Sequence, residues 1–222
     1  MQPTDPGQRW TIVVPLKSTT RGKSRIDVEP GLRSQLAMAM ALDTVAAAAL
    51  AELVETVLVV TESPADAAEL AGWAGVRILL TEVSGLNESI RHGIASLPES
   101  TQLTAALPAD LPSLTADELN IALASAAGRR QAVVADRQGT GTTLLTASSP
   151  AALRPQYGAG SLGRHVAAGA VILELPVESG LRRDVDRDVD LDGVTGPRTI
   201  ALLERAGRLP LSAGRLCAGP AT

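Results

Sequence analysis

The chain reads as an α/β domain built on a largely parallel sheet. Short β-branched runs alternate with alanine-rich stretches of helical period along most of its length, the pattern of repeated strand–helix–strand units. Its 222 residues suit a single domain, with loose tails expected at residues 1–9 and 212–222. Hydrophobic residues make up 45% and charged residues 20%, the balance of a chain that buries a core and not of a disordered or collagen-like one.

Each element has its own signal. Residues 11–16 (TIVVPL) form the first expected strand, followed by a polar loop at 17–30. From Leu32 the apolar positions Leu36, Ala39, Met40, Ala47, Leu50 and Leu53 recur at helical spacing. A second strand is expected at 57–60, a helix at 64–70 with Pro64 in its favoured first turn, and a third strand at 76–80. Residues 87–97 read as a helix, 103–107 (LTAAL) as a fourth strand, and 115–126 as a helix opened by Thr115 and Glu118 in capping-box positions. Two strands at 131–135 and 142–146 flank the loop DRQGTG. A helix at 161–168, a strand at 171–175 and a helix at 199–206 complete the order, with no internal repeat.

Composition removes several classes of function. There is no Phe, and Trp10, Trp73 and Tyr157 are the only aromatic residues, so the core is aliphatic and stacking platforms for single-stranded nucleic acid are missing. A net charge of −4 argues against a phosphate-tracking surface, so no nucleic-acid partner is expected. Cys217 is the sole cysteine, which excludes an internal disulfide and a cysteine-built zinc site. Residues 1–9 lack the apolar stretch of a signal peptide, and Asp43, Glu52 and Glu55 interrupt the most membrane-like stretch, 36–60. A soluble, cytoplasmic protein without membrane contact is the expectation.

In such sheets ligands bind beyond the carboxyl ends of the strands, and there the chemically useful residues accumulate. Of 20 basic residues 18 are Arg, and the two Lys, Lys17 and Lys23, both follow the first strand with Arg25 beside them. Lysine meets phosphate as a point charge and arginine as a fork; a solvated loop is the alternative. The P-loop pattern GxxxxGK[ST] and the GxGxxG fingerprint are both absent. Asp110, in PADLP after the fourth strand, suits a hard cation such as Mg²⁺ or, equally, a turn. The run DVDRDVDLDG places five Asp at alternating positions from Asp184 to Asp192; if extended, it puts all five carboxylates on one face, where a cation would relieve their repulsion. An EF-hand loop from Asp188 fails because its twelfth position is Thr199 and not Glu. The loop from Asp136 to Thr142 is either an anion-binding nest or a hairpin turn, and Tyr157–Ser161 is a second glycine-rich loop in which Ser161 either caps the next helix or meets a ligand. His92 and His165 are the only histidines, and no GxSxG is present, so hydrolysis by a protein nucleophile is not expected. Transfer between phosphates needs no such group, since an ionised phosphate oxygen attacks unaided. His165, beside Arg164, is either a phosphate contact or, the preferred reading, a helix-surface residue.

Taken in order, VVPLKSTTRGKSRI, GLNESI, PADLP, ADRQGTGT, YGAGSLGRH and LRRDVD resemble the guanylyltransferases of coenzyme F-420 biosynthesis, the phosphoenolpyruvate or 2-phospho-L-lactate guanylyltransferase family, from about residue 11 to residue 206. The resemblance implies a three-layer nucleotidyltransferase fold of the GT-A type with a mostly parallel mixed sheet. It implies a Mg²⁺-dependent reaction, with two ions, of GTP with phosphoenolpyruvate or 2-phospho-L-lactate, and a downstream transferase that consumes the product. Carried over by motif, Asp110, Asp184 and Asp186 hold metal; Thr142, Gly158 and Ser161 bind the acid; and Pro15, Lys17, Lys23, Arg25 and Asn87 bind the nucleotide. Among these, Lys17, Lys23 and Arg25 act on the triphosphate and the departing pyrophosphate. An Ala- and Arg-rich, Lys-poor composition and the likeness to actinobacterial members put phosphoenolpyruvate first. The sequence departs from the family where Arg187-Asp188 follows the DVD motif in place of Thr-Pro. Asp184 and Asp186 are preferred over Asp188 and Asp190 because they directly follow Leu-Arg-Arg. Two other readings stay open: a sugar-phosphate or molybdopterin nucleotidyltransferase, against which the missing GxGxR counts, and a non-catalytic GTP-binding protein on the same fold. Whether the chain forms a homo-oligomer is open as well.

Overall fold

The computed structural model describes residues 9–19 and 26–208. Lys23, Arg25, Cys217 and both expected tails, Arg9 excepted, lie outside the described residues. Seven strands form one sheet in the order β3-β2-β1-β4-β6-β5-β7. They are β1 (Trp10–Leu16), β2 (Val54–Thr61), β3 (Val76–Leu80), β4 (Thr104–Ala106), β5 (Gln131–Ala135), β6 (Thr142–Ala147) and β7 (Val171–Ile172). All pairings are parallel except those of β6, which runs against β4 and β5. The helices are α1 (Pro30–Leu50), α2 (Pro64–Leu70), α3 (Leu86–Ala95), α4 (Ala116–Ala126), α5 (Ser161–Ala167) and α6 (Pro197–Arg205).

The apolar runs of the inner strands β1, β2, β4, β5 and β6 became largely buried on both faces, while β3 and β7 at the sheet's two edges stay partly exposed. Alternate residues of β1 divide between two clusters. Ile12, Val14 and Leu16 pack with Val57 and Val59 under α1, α2 and α4, while Val13 packs with Leu58, Val60 and Ile90 under α3. Helices therefore cover both faces, giving the three expected layers. The helix α3 lies close on the sheet because Gly93 faces it: a Cβ there would sit 2.7 Å from Val13 Cγ1 and 2.8 Å from Val60 Cγ2. The capping box at α4 forms as read, with the Glu118 carboxylate and the Thr115 hydroxyl each accepting the other's backbone N–H.

A third apolar cluster joins α1 (Leu36, Met40) to α6 (Leu202, Leu203) through Val185, Leu191 and Val194 of the aspartate run. Burial of these three residues overturns the extended reading of that run. Asp188–Leu191 is a 3-10 turn, closed by the Asp190 carboxylate accepting the N–H groups of Asp186 (3.0 Å) and Arg187 (2.8 Å). Asp188 accepts from Asp27 N–H at 3.0 Å. The five carboxylates accordingly do not share one face. Two smaller corrections have equally local causes. The strand expected at 171–175 stops at Ile172; Leu173 N–H still meets Val133, but the Leu175 carbonyl turns to the Arg182 guanidinium. The last helix begins at Pro197, because Asp43 in α1 takes the N–H groups of Arg198 and Thr199 that open it.

Candidate active site

Strand direction decides which loops can meet. Since β1, β4 and β5 run the same way and β6 runs against them, the ends of the first three and the start of the fourth lie along one edge of the sheet. Lys17 after β1, Asp110 after β4, Asp136 after β5 and Thr142 at the start of β6 thus occupy that edge. Pro15 lies within β1, buried and paired with Val60 of β2, and Lys17 is the first exposed residue after the strand. The chain beyond Lys17 is tethered by Thr19, whose N–H and hydroxyl donate to the two oxygens of Asp66 in α2 at 3.0 and 2.9 Å.

The acidic centre is assembled by main-chain docking. The Asp110 carbonyl accepts the N–H of Val185 at 3.0 Å, which sets Asp184 and Asp186 on either side of Asp110's loop. The two arginines before them are staples. Arg182 donates to the carbonyls of Ala135, Asp136 and Leu175, and Arg183 to those of Asp192 and Gly193. Gly180 and Gly196 press on the loop after Asp110 so closely that a Cβ on either would collide with the Ser113 or the Pro112 carbonyl. Burial raises the pKa of Asp184 to about 7, and the neighbouring Asp110, Asp186 and Asp136 carboxylates push the same way. Its Oδ1 is buried and receives no hydrogen bond from a described residue. Such a site disfavours its own charge until a cation arrives. Among the described residues, no three His, Cys, Asp or Glu side chains form a cation cage by themselves. Magnesium sites commonly take one or two carboxylates and draw their remaining oxygens from water and substrate phosphates.

Beside this centre lies a cluster of buried polar side chains. Asp136 closes its own hairpin: its carboxylate accepts the N–H groups of Thr140 and Gly141, both at 2.8 Å. The nest reading of this loop is thereby corrected, since an internal carboxylate already fills it. Thr142 is buried and bonded to His165, which is itself 1% exposed and not on a helix surface. The His165 ring also accepts the N–H of Gln156 at 2.9 Å and meets Tyr157 edge-on at 5.4 Å. Burial, and after it the Arg164 charge, lowers the His165 pKa to about 4. Tyr157 donates its hydroxyl to the Ala106 carbonyl at 2.9 Å, and burial holds the phenol protonated well above its ordinary range.

Gly158 and Gly160 adopt positive φ (122° and 70°), and the Arg164 guanidinium gathers the Gln156 and Ala159 carbonyls of the same loop. Gly160, and not Ser161, is the cap of α5; Ser161 is the first helical residue and is buried. Asn87 is committed to this loop, its Oδ1 accepting Tyr157 N–H at 2.7 Å and its Nδ2 donating to the Tyr157 carbonyl at 3.1 Å. The structure therefore brings Asp110, Asp184 and Thr142 to one edge with the Gly158–Ser161 loop. Sequence reasoning missed His165, Asp136 and Asp66. A strand-terminal position like that of Asp110 was a signal for Asp136; His165 and Asp66 act through partners distant in sequence and gave none.

Comparison with known proteins identifies the family. Residues 38–172 match the MobA-like NTP transferase domain family. Phosphoenolpyruvate guanylyltransferase of Thermomonospora curvata is 44% identical over 210 residues, covering 90% of each chain. The enzyme of the same name from Streptomyces scabiei is 42% identical, covering 89% of this chain and 97% of its own. Among solved structures, a nucleotide-diphospho-sugar transferase from Desulfovibrio desulfuricans G20 superposes with a TM-score of 0.66 at 15% identity, over 89% of this chain and 95% of its own. A 4-diphosphocytidyl-2C-methyl-D-erythritol synthase from Anaerococcus prevotii gives 0.56 at 12% identity, over 84% and 95%. These structural likenesses show the nucleotidyltransferase fold, while the closer sequence relatives carry the assignment further: the chain belongs to the phosphoenolpyruvate guanylyltransferase family of MobA-like nucleotidyltransferases.

Proposed function

We propose that the chain transfers GMP from GTP to the phosphate of phosphoenolpyruvate, with 2-phospho-L-lactate as the alternative acid, and releases pyrophosphate. The observation that supports this reading is the buried Asp184 Oδ1, which no described residue hydrogen-bonds, among neighbouring carboxylates and on the same sheet edge as the buried Thr142–His165 pair. An oxygen of the acid's phosphate attacks the α-phosphorus of GTP; that P–O bond forms as the bond to the β-phosphate oxygen breaks, and pyrophosphate leaves with the electron pair. The attacking oxygen is already ionised, so no protein base is needed, and positioning supplies most of the catalysis. Asp110, Asp184 and Asp186 would hold Mg²⁺, whose chemistry when bound is to neutralise phosphate charge. The buried, hydrogen-bond-free Oδ1 of Asp184 fits that role. Lys17 lies exposed at the donor end of the edge, where an ammonium suits the departing phosphates. Thr142, Gly158 and Ser161 form the acid's side. Lys23 and Arg25 enter on the family pattern alone. In this reading the product feeds a transferase of coenzyme F-420 biosynthesis in the cytoplasm. No helix among the described residues is long and apolar enough to cross a membrane.

The test is pyrophosphate release from GTP and Mg²⁺ with phosphoenolpyruvate, 2-phospho-L-lactate, 3-phosphoglycerate or no acid. Release that depends on phosphoenolpyruvate is expected. Binding of GTP without release in the presence of any acid would overturn the proposal.

A further inference from the structure

Buried polar contacts around His165 specify more than packing. The donor in its contact with Gln156 is a backbone N–H, which can only donate, so Nε2 must offer its lone pair. A neutral ring then carries its one proton on Nδ1, and Nδ1 stands 3.0 Å from Thr142 Oγ1. The Thr142 oxygen is therefore an acceptor in this contact, and its own proton is directed elsewhere. No described residue takes that proton. The ring is held against turning over, which would put Cδ2 and Cε1 in place of its nitrogens, because it is 1% exposed and packed edge-on against Tyr157, itself fixed by Ala106 and Asn87.

From this geometry we infer that His165 is a positioning residue that locks the Thr142 hydroxyl as an outward hydrogen-bond donor to an oxyanion of the acid substrate. The same ring couples that donor to the Gln156–Ser161 loop, so both parts of the acid pocket share one reference point. The identity of the oxyanion as a carboxylate or phosphate of the acid rests on the function proposed above; the direction of the hydroxyl does not.

Two experiments separate these claims. In a His92→Gln protein, which leaves His165 as the single ring, long-range ¹H–¹⁵N spectra should show Nδ1 protonated and Nε2 bare, and added inorganic phosphate or phosphoenolpyruvate should shift the Nδ1 resonance. The opposite tautomer, or a ring that responds to neither anion, would overturn the inference whether or not GMP transfer occurs. In steady-state assays, His165→Gln keeps an acceptor for Gln156 but loses the donor to Thr142, and should raise the KM for phosphoenolpyruvate about 10-fold. His165→Asn, whose amide nitrogen reaches the Nδ1 position, should recover most of that loss. The double variant His165→Gln with Thr142→Val should be no worse than Thr142→Val alone, with the KM for GTP unmoved. Additive losses, or equal damage to GTP binding, would reduce His165 to packing. A wild-type protein that shows the expected tautomer and anion shift but no acid-dependent pyrophosphate release would sink the proposed reaction and leave the His165 assignment standing.

Discussion

Asp43 offers a demanding test of how the fold is held. It sits in the middle of α1, 5% exposed, and accepts from Arg198 N–H (3.1 Å), Thr199 N–H (2.9 Å) and Thr199 hydroxyl (2.8 Å). One helix thus caps another across 155 residues of sequence, in place of the side-chain cap that Gly196 cannot supply. Asp43→Ala strips this acceptor away. Each hydrogen bond to a charged group contributes about 1.5–3 kcal/mol, and the lost cap about 1 kcal/mol. Arg198 Nη1 also approaches the carboxylate (3.4 Å), but that side chain is 42% exposed and returns to water at little cost. Relief of the carboxylate's own desolvation offsets part of the total, leaving a net loss of about 3 kcal/mol. With a urea m-value of about 2 kcal/mol/M, the unfolding midpoint should fall by about 1.5 M. Asp43→Asn keeps one carbonyl oxygen and should lose roughly half as much. A shift below about 0.3 M for the Ala variant, or equal shifts for Ala and Asn, would refute the capping argument.

Other perturbations follow from the same structure. Asp184 has a folded pKa of about 7, above its unfolded value, so the folded state retains a proton that the unfolded state has lost; stability is full below about pH 4 and declines as pH rises through 7. The decline is at most about 4 kcal/mol, less where water reaches the carboxylate. Asp184→Asn should therefore raise the melting temperature at pH 8 in metal-free buffer, remove the stabilisation by Mg²⁺ and abolish turnover; a variant still stabilised by Mg²⁺ would take Asp184 out of the metal site. His165 behaves in the opposite sense. Its folded pKa of about 4 lies below the unfolded value, so its contribution is full above about pH 6.5 and is lost as pH falls toward 4, about 3 kcal/mol in all, and His165→Gln should flatten that limb of a pH–stability curve. Gly93→Ala forces a methyl against two stiff valines of the central strands and should cost about 1–3 kcal/mol by urea titration, with a raised KM for phosphoenolpyruvate as α3 and Asn87 shift; an unchanged midpoint would show that α3 is not seated as closely as described.

Legibility in the sequence followed the range of the interaction. The runs at 64–70 and 76–80 were readable to the residue, because Pro64 and the β-branched pattern act locally. The Thr115–Glu118 capping box was equally plain for the same reason. Asp110 and Thr142 could be placed in loops at strand ends because each lies next to a strand legible in the sequence, while the reversed direction of β6 that brings them to one edge was not. The tautomer-defining contacts of His165, the Thr19–Asp66 tether and the Asp43 cap join positions 9 to 156 residues apart, and nothing in their immediate neighbours announces the partner. In the aspartate run the spacing of carboxylates suggested an extended strand, whereas the spacing of Val185, Leu191 and Val194 decided the outcome. Burying those three side chains outweighs a regular row of charges, and the Asp190 carboxylate finds closer donors in its own backbone.

The reversed strand β6 has a consequence for how such a site can change. Because β6 runs against its neighbours, the wall on its side of the edge starts from a hairpin whose tip, Arg137 to Gly139, is exposed while Asp136 clamps its base. Lengthening that tip would alter the reach and chemistry of the wall without shifting any ladder pairing, since the register is set below the clamp. The other half, β1 to β3, is joined by parallel crossovers in place of a hairpin. A sheet divided in this way can vary one end of its edge while the parallel half stays as it was.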